Sequence, residues 1–307
     1  MQKIKVLVLL STYNGEHFIY KQISSILTQI NVEVKLVIRD DGSTDKTVSV
    51  LREFQNGKRD VELITARNVG FVESFTELVK YAAEKYSDYE YFAFADQDDL
   101  WYPNKLYVAS TILDKFSRNE PNVYCCNSDL IDDNDIVIGK FKKNKPRYTR
   151  GNVIFYGTFQ GCSMVFNKAA LIEYYNHPPI SAYHDRWMYL VCHFLGNTYY
   201  DDRSLFGYRI HESNVIGTKV KEDNFMQDIK KFHRKKNNTN RTVIEEFLCC
   251  WGNRIKPKDL ANINVYYSYH DSYKLKWKLL FSSSFGPKDL SYRGVIGHLF
   301  RVLRNEL

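Results

Sequence analysis

Hydrophobic residues in the first 120 positions form short continuous runs, separated by stretches in which they recur at helical spacing. The runs span residues 4–10, 34–38, 61–65 and 91–95. After the first run, Ile19, Ile23 and Ile26 fall on one face of a helix, and the segments after the second and third runs show the same spacing. Continuous apolar strands that alternate with amphipathic helices predict an α/β fold with a mostly parallel sheet, covered by helices on both faces.

The pattern changes beyond about residue 120. Strand-like pieces and one helix come first, at 123–127, 162–166, 186–195 (the helix) and 198–201. A basic stretch typical of a loop or hinge follows at 230–236, and helical signals lie beyond it, at 243–251, 273–280 and 295–303. We predict one domain over 1–216, with halves of about 1–120 and 121–216, and a basic helical extension over 217–307.

Charge is distributed unevenly between these two regions. Residues 216–307 contain 18 Lys and Arg against 9 Asp and Glu, a net charge of +9, whereas the whole chain carries +7. The first 215 residues therefore sum to −2. This division predicts an acidic site in the first region and an anionic partner surface for the second. Lys274, Lys276 and Lys278 alternate with apolar residues, which favours either binding to a membrane surface or an ordinary solvated helix face.

The sequence also carries information on the cellular compartment. The N-terminus leads directly into the first apolar run and 18 successive apolar residues occur nowhere, so we expect neither a signal peptide nor a spanning helix. The six cysteines include two adjacent pairs, which lack the spacing of zinc ligands. We expect them to be buried free thiols in a reducing cytosol.

Polar residues follow each of the predicted strands. These clusters lie at 11–16, 40–45, 67–70 and 96–99. The carboxyl ends of parallel strands meet at one edge of a sheet, and ligands of open α/β sheets bind in the crevice outside that edge. The four clusters therefore predict a ligand site.

The most informative cluster is the sequence Asp-Gln-Asp-Asp at 96–99. Three carboxylates within four residues repel one another, so folding them together is costly unless a cation or hydrogen-bond donors compensate. Mg²⁺ and Mn²⁺ take oxygen ligands and commonly bridge carboxylates to substrate phosphates. The alternative is a solvated turn that caps a helix beginning near Pro103.

Two other clusters could bind a ligand or serve the backbone. Asp41 could accept hydrogen bonds from a ribose or base, with Gly42 permitting a close approach, while Ser43, Thr44 or Asp45 could cap the next helix. Residues 11–16 offer hydroxyl and amide groups at a helix start, but they lack the glycine pattern of a dinucleotide-binding fold or P-loop.

Three later residues are candidates for the chemistry. Asp185 precedes an apolar helix, where it could act as a general base or simply cap the helix. Arg209 could clamp a diphosphate, and His211 could bind a metal, although a lone histidine is more often structural.

Taken in order, these motifs resemble those of the inverting family 2 glycosyltransferases with the GT-A fold, over residues 3–216. The resemblance implies that Asp98 binds the donor's metal ion with support from Asp96, that His211 is a later metal ligand, and that Asp185 is the base that deprotonates the acceptor. The donor-binding residues implied or suggested by position are Ser11, Thr12, Tyr13, Asn14, Glu16, Asp41, Arg67, Asn68, Asp96, Gln97 and Arg209. One departure is His184, where many members carry Glu, so the acceptor pocket is expected to differ.

A narrower resemblance is to bacterial rhamnosyltransferases, carried by the sequences at 96–101, 184–185 and 208–215. It implies L-rhamnose transfer from dTDP-L-rhamnose to a growing, lipid-linked surface polysaccharide such as O-antigen or capsule. Sister enzymes with similar motifs use UDP-hexoses such as glucose, galactose or N-acetylhexosamine, so that donor class is the alternative. The expected location is the cytoplasm, peripheral at the inner face of the plasma membrane.

Other classes fit less well. A phosphohydrolase of the haloacid dehalogenase type needs an Asp after the first strand, and a nucleotidyltransferase needs a glycine-rich basic loop there; this chain has neither. A carbohydrate-binding protein on a degenerate transferase fold would be favoured by loss of Asp98 or Asp185, and both are present. The basic region carries no recognised nucleic-acid motif, so we expect no nucleic-acid partner.

Overall fold

The computed structural model describes residues 3–56, 60–142, 151–154, 159–211, 239–281 and 302. The chain divides into two compact units, the first of Met1–Lys145 with Gly157–Arg209 and the second of Pro146–Tyr156 with Ile210–Leu307. The predicted domain boundary at 216 lies outside the described residues. The sequence pattern did not predict that Pro146–Tyr156 belongs to the second unit.

One sheet organises the first unit. Its strands among the described residues are β1 (Ile4–Thr12), β2 (Val32–Asp40), β3 (Val61–Thr65), β4 (Tyr91–Ala95), β5 (Leu100–Trp101), β6 (Asn122–Ile131), β7 (Val137–Lys140), β8 (Met164–Asn167) and β9 (Asn197–Arg209). The helices described in this unit are α1 (Ile19–Leu27), α2 (Thr47–Gln55), α3 (Phe71–Lys85), α4 (Lys105–Leu113), α5 (Lys168–Asn176) and α6 (His184–Leu195).

The sheet has the order β3-β2-β1-β4-β8-β6-β9-β5, and β7 pairs with β6. The strands β3, β2, β1 and β4 are mutually parallel, as are β6 and β9, while β8, β5 and β7 run antiparallel to their neighbours. Residues 6–10 at the centre of β1 are fully buried, as expected for a strand covered on both faces. The predicted α/β fold with a mostly parallel sheet is therefore confirmed.

The register of the parallel strands fixes where the polar clusters lie. Thr12 pairs with Asp40, Asp40 pairs with Thr65, and Leu10 pairs with Ala95. The four strands thus end at nearly the same level. The loops that follow them leave the sheet along one edge, as the sequence predicted.

The described part of the second unit is helical. Its helices are α7 (Thr239–Trp251), α8 (Pro257–Ser268) and α9 (Tyr273–Phe281). The helices predicted at 243–251 and 273–280 are confirmed, and α8 was not predicted. The predicted hinge at 230–236 and all but residue 302 of the predicted helix at 295–303 lie outside the described residues.

Two further expectations can be compared with the structure. No helix in the described ranges combines the length and the apolar character needed to cross a bilayer. All six cysteines are free thiols, but the prediction that they are buried is wrong for two of them: Cys249 is exposed and Cys250 is half-buried. Both lie on α7, where the two positions point away from the helix's buried face.

Candidate active site

Gln97 joins the loop after β4 to the loop after β1. Its side-chain carbonyl oxygen accepts hydrogen bonds from the hydroxyl of Thr12 (2.7 Å) and from the backbone N–H of Tyr13 (2.8 Å). A Cβ on Gly15 would lie only 2.5 Å from that oxygen, so a larger residue there would displace the Gln97 side chain. Thr12, Tyr13 and Gln97 therefore lie together at the carboxyl edge of the sheet, as predicted, and the Tyr13 ring is exposed there.

Asn14 and Glu16 hold the loop that precedes α2. The Asn14 side-chain oxygen accepts from the backbone N–H of Thr44 at 2.8 Å, and a Glu16 carboxylate oxygen accepts from that of Lys46 at 2.8 Å. Asn14 has φ of 50°, a left-handed conformation that asparagine tolerates. The described contacts of both side chains are therefore structural, and their predicted contact with a donor remains a prediction.

Asp41 is buried beneath the neighbouring loop. Its carboxylate accepts hydrogen bonds from the Arg39 guanidinium (2.5 Å) and from the backbone N–H groups of Val69 and Gly70 (2.9 Å each), and the residue is 2% exposed. Three donors to one carboxylate fix the loop after β3 against the end of β2. The Asp41 side chain therefore joins two loops at the carboxyl edge of the sheet. Its predicted contact with the nucleoside remains a prediction.

The loop after β3 presents Arg67 and Asn68, which are both exposed at the site edge. Gly42 has φ of +80°, and a Cβ there would lie 2.9 Å from the Asn68 backbone nitrogen. On the other side, the hydroxyls of Ser11 and Ser74 are 2.6 Å apart and tie β1 to α3. These contacts place Ser11, Arg67 and Asn68 along the same edge as predicted.

The acidic cluster lies at the end of β4. Ligand-type atoms of Asp96, Asp99 and Cys162 lie within 4.8 Å of one another. Asp99 is fully buried, and its carboxylate lies next to the Cys162 thiol. Asp98, between them, is half-buried. The cluster is therefore not the solvated turn that the sequence left as the alternative.

Burial and mutual repulsion shift the acidity of this cluster. Burial, and then the negative charge of Asp98, raise the pKa of Asp96 to about 7. The same two causes raise the pKa of Asp99 well above its usual value. This is the electrostatic cost that three clustered carboxylates predict in the absence of a compensating cation.

Lys105, which the sequence analysis did not single out, lies against the cluster. Its ammonium is fully buried, donates to the Cys162 carbonyl at 2.5 Å and lies 3.2 Å from the centroid of the Trp101 ring. Burial lowers its pKa to about 8, while the acids favour its charged form. A lysine at the start of a helix is usually exposed, so the local sequence gives no sign that Lys105 is buried.

The donor atoms of the cluster fit a hard divalent cation. Two of the three groups are carboxylates, and a hard divalent cation takes oxygen ligands in preference to sulfur. Carboxylate oxygens are the ligands that Mg²⁺ and Mn²⁺ prefer. His211, the third predicted ligand, belongs to the second unit, so its metal role remains a prediction.

Asp185 lies in the first turn of α6, where one carboxylate oxygen accepts from the Arg186 backbone N–H at 2.6 Å. Burial raises its pKa to about 6, and its negative charge in turn contributes to the raised pKa of Asp96. A Cβ on Gly161, next to Cys162, would lie 3.4 Å from the Asp185 Cβ. The fold therefore brings the predicted base to the acidic cluster, 87 residues away in sequence from Asp98.

Arg209 is buried at the end of β9, next to the acidic cluster. The residue is 0% exposed, and its guanidinium donates to the Asp98 carbonyl oxygen (2.9 Å), to the Asp132 carbonyl oxygen and to the Asp135 carboxylate (2.5 Å). Its face lies 4.5 Å from the centroid of the Phe18 ring. These contacts indicate that Arg209 positions the backbone of Asp98, and its predicted contact with a diphosphate remains a prediction.

Comparison with known sequences identifies relatives of this chain. A family model described as glycosyl transferase family 2 matches residues 7–174. The chain is 29% identical over 229 residues to the dTDP-rhamnosyl transferase RfbG of Shigella flexneri, an alignment that covers 69% of this chain and 74% of that protein. It is 28% identical over 179 residues to the Escherichia coli UDP-Glc:alpha-D-GlcNAc-diphosphoundecaprenol beta-1,3-glucosyltransferase WfgD, covering 58% and 66% of the two chains.

Solved structures share the fold. TarS from S. aureus in complex with UDP superposes with a TM-score of 0.56 at 16% identity, covering 98% of this chain and 81% of that one. The mannosyltransferase PcManGT from Pyrobaculum calidifontis, in complex with GDP-Man and Mn²⁺, gives 0.52 at 13% identity and covers 100% and 89%. The fold is that of the GT-A glycosyltransferases. Since the family model matches more than half of its residues, the chain belongs to glycosyl transferase family 2.

Proposed function

We propose that this glycosyltransferase transfers L-rhamnose from dTDP-L-rhamnose, with inversion, to a hydroxyl of a growing bacterial surface polysaccharide. The observation that carries the proposal is the meeting of Asp185 with the acidic cluster at the edge where the predicted nucleotide loops end. The likeness to a dTDP-rhamnosyl transferase supports rhamnose as the sugar. The likeness to a UDP-glucose-dependent enzyme makes a UDP-hexose the second candidate donor.

In the proposed mechanism, the Asp185 carboxylate takes the proton from the acceptor hydroxyl. The acceptor oxygen then attacks the anomeric carbon, the bond from that carbon to the diphosphate oxygen breaks, and the electron pair leaves with the nucleoside diphosphate. A single displacement by one base, without an enzymatic nucleophile, inverts the anomeric configuration. A pKa of about 6 suits the task, because the group is ionised at neutral pH yet more basic than an ordinary carboxylate.

The leaving group gains negative charge, and the site has groups to compensate it. Asp98 and Asp96 would hold Mg²⁺ or Mn²⁺, which when bound stabilises the departing diphosphate as a Lewis acid. Arg209 holds the Asp98 backbone in place, and the buried Lys105 offsets part of the negative charge of Asp96 and Asp99. Metal dependence follows from this arrangement as part of the proposal.

The nucleotide end of the donor is assigned to the exposed groups of the same edge. Tyr13, Arg67 and Asn68 are exposed there and are free to approach a nucleoside. Asp41 and Gln97 fix the loops that carry them. The alternative of a carbohydrate-binding protein on a degenerate fold gains no support, because both acids needed for transfer are present in one site.

We further propose that the acceptor is lipid-linked and that the enzyme works at the inner face of the plasma membrane. Helix α9 supports this, because Tyr273, Trp277 and Phe281 recur every four residues and are 61–82% exposed. Three lysines lie between and beside these rings, at Lys274, Lys276 and Lys278. An exposed aromatic stripe flanked by cations is the composition of an interfacial helix on an anionic membrane.

Calorimetry with a panel of donors tests the enzyme proposal. We would titrate dTDP-rhamnose, UDP-glucose, UDP-galactose and UDP-N-acetylglucosamine, with and without Mn²⁺, into the wild type, Asp98→Ala and the exposed-site control Asp88→Ala. We expect Mn²⁺-dependent binding of dTDP-rhamnose that Asp98→Ala loses and Asp88→Ala keeps. Binding of a UDP-hexose alone would favour the second donor class, and a folded protein that binds no donor would contradict the proposal.

A further inference from the structure

An aromatic pair stands at the site edge without a role in the reaction described so far. Phe71 is the first residue of α3 and is 36% exposed, and Tyr183 directly precedes α6 and is 51% exposed. Their ring centroids are 5.3 Å apart with an interplanar angle of 34°. The two rings come from segments 112 residues apart in sequence and form one solvent-facing aromatic surface.

This surface lies beside the proposed base. Tyr183 is two residues before Asp185, and Phe71 follows the loop after β3, which ends at the same edge of the sheet. A general base must come within hydrogen-bond reach of the proton that it removes. The sugar ring that carries the reacting hydroxyl must therefore lie close to Asp185. His184, whose ring contacts Phe71, borders Gly161 together with Asp185.

Phe71, one member of the pair, lies against a buried and uncharged group of rings. The His184 ring lies between the two segments, 6.2 Å from Phe71, and stacks on Phe75 with centroids 3.9 Å apart. Phe94 of β4 meets the His184 ring edge-on at 4.9 Å. Burial lowers the pKa of His184 to about 3, so this group of rings stays neutral. A ring that packs against buried neighbours in this way loses little side-chain entropy on binding, and Phe71 in turn contacts the Tyr183 ring.

We propose that Phe71 and Tyr183 form the stacking surface for the acceptor sugar, a pyranose whose hydroxyl faces Asp185. This inference rests on the proposed transferase function. Aromatic faces carry partial negative charge and attract the C–H groups of one face of a pyranose, whereas the hydroxyls at its rim stay free to reach polar groups. Such a surface selects a ring with an uninterrupted C–H face and orients the hydroxyl toward the base.

Saturation-transfer NMR measures this contact directly. The probes are methyl α-L-rhamnopyranoside and methyl N-acetyl-α-D-glucosaminide, added to the full chain in the presence of Mg²⁺ and dTDP or UDP. We expect transfer to the ring C–H protons of at least one sugar in the wild type. Phe71→Ala and Tyr183→Ala should each weaken the affinity about five- to tenfold, and Tyr183→Phe should retain it because the ring remains.

The control is Tyr107→Ala, which removes a comparably exposed ring from α4. Equal loss in that variant, unchanged transfer in both alanine variants, or no transfer to either sugar in the wild type would overturn the stacking surface. So would a loss of nucleotide-sugar affinity with methyl-glycoside binding intact, since the rings would then serve the donor. Donor calorimetry on the same variants separates these results from a failure of the transferase proposal, in which no donor binds the wild type.

Discussion

At the residue scale, the ionisation of Asp185 sets the pH range in which transfer can occur. The base acts only as a carboxylate, and burial raises its pKa to about 6. We therefore expect kcat/KM to fall as the pH drops through about 6 and to reach a plateau above it. Asp185→Asn should lower kcat by about 10²–10⁴-fold while leaving donor affinity nearly unchanged. A pH–rate profile and donor calorimetry on both proteins measure the two effects.

The matching control for Asp185→Asn is Asp88→Asn, an exposed aspartate before β4. It should behave as the wild type in both assays. Near-normal turnover in Asp185→Asn would remove this residue from the role of base.

Arg209 illustrates how one buried side chain can hold the backbone of a proposed metal ligand. Lysine keeps the charge but cannot reach the carbonyls of Asp98 and Asp132 and the Asp135 carboxylate at once. We expect Arg209→Lys to lower the free energy of unfolding by roughly 2–4 kcal/mol and to weaken Mn²⁺-dependent donor binding. Urea unfolding and calorimetry measure both quantities.

Arg118→Lys is the control for this substitution, because Arg118 is exposed and forms its ion pair with Asp114, one helical turn away. Its unfolding free energy should change by less than about 0.5 kcal/mol. A similarly small change in Arg209→Lys would show that the three contacts contribute little.

At the scale of elements, the site edge depends on close contact between loops. Gly42 and Gly70 both have positive φ, +80° and +86°, but a Cβ would meet the Asn68 backbone nitrogen only at Gly42. Both alanine variants carry the conformational cost of about 1 kcal/mol, and Gly42→Ala adds a steric one. We expect Gly42→Ala to be the more destabilised by about 1–2 kcal/mol and to raise the donor KM, as measured by urea unfolding and initial rates. Equal destabilisation of the two variants would mean that the loops after β2 and β3 can move apart without a cost in free energy.

The elements that the sequence predicts are those with a long apolar signal. β3 and β4 match their predicted runs at both ends, and β1 extends the predicted run by only two residues. Four helices and strands of the described structure were not predicted. β5 has only two residues, β7 is exposed at the edge of the sheet, and α5 and α8 have weak amphipathic patterns.

The site was predictable to the extent that it depends on strand ends. Parallel strands deliver their carboxyl ends to one edge, so Gln97 and Asp98 could be placed there from the sequence. Burial of a charged side chain depends on distant elements, and neither Lys105 nor Arg209 carries a local signal for it. The positioning role of Arg209 was not predicted for this reason, since its partners Asp132 and Asp135 lie about 75 residues away.

At the scale of the whole molecule, charge and chemistry are divided along the chain. The acids that would bind the metal lie in the first unit, whereas residues 216–307 carry the net charge of +9. The described helices of the second unit have a buried face and, on α9, an aromatic stripe in solvent. A nucleotide donor would not use that stripe, whereas the proposed lipid-linked acceptor would require the enzyme to stay at the membrane surface.

The membrane proposal predicts a dependence on both charge and aromatic rings. We expect the wild type to sediment with phosphatidylglycerol-containing vesicles, less so as salt rises, and weakly with phosphatidylcholine vesicles. Each lysine near an anionic surface contributes about 1 kcal/mol, so replacing Lys274, Lys276 and Lys278 with Gln should weaken binding roughly 100-fold. Replacing Tyr273, Trp277 and Phe281 with Ser should also release the protein, because the rings bury apolar area at the headgroup level. Tyr107→Ser, far from α9 in the sequence, controls for loss of an exposed ring. If both triple variants still sediment like the wild type, or if they change the oligomeric state instead, the stripe faces another protein surface and the membrane proposal fails.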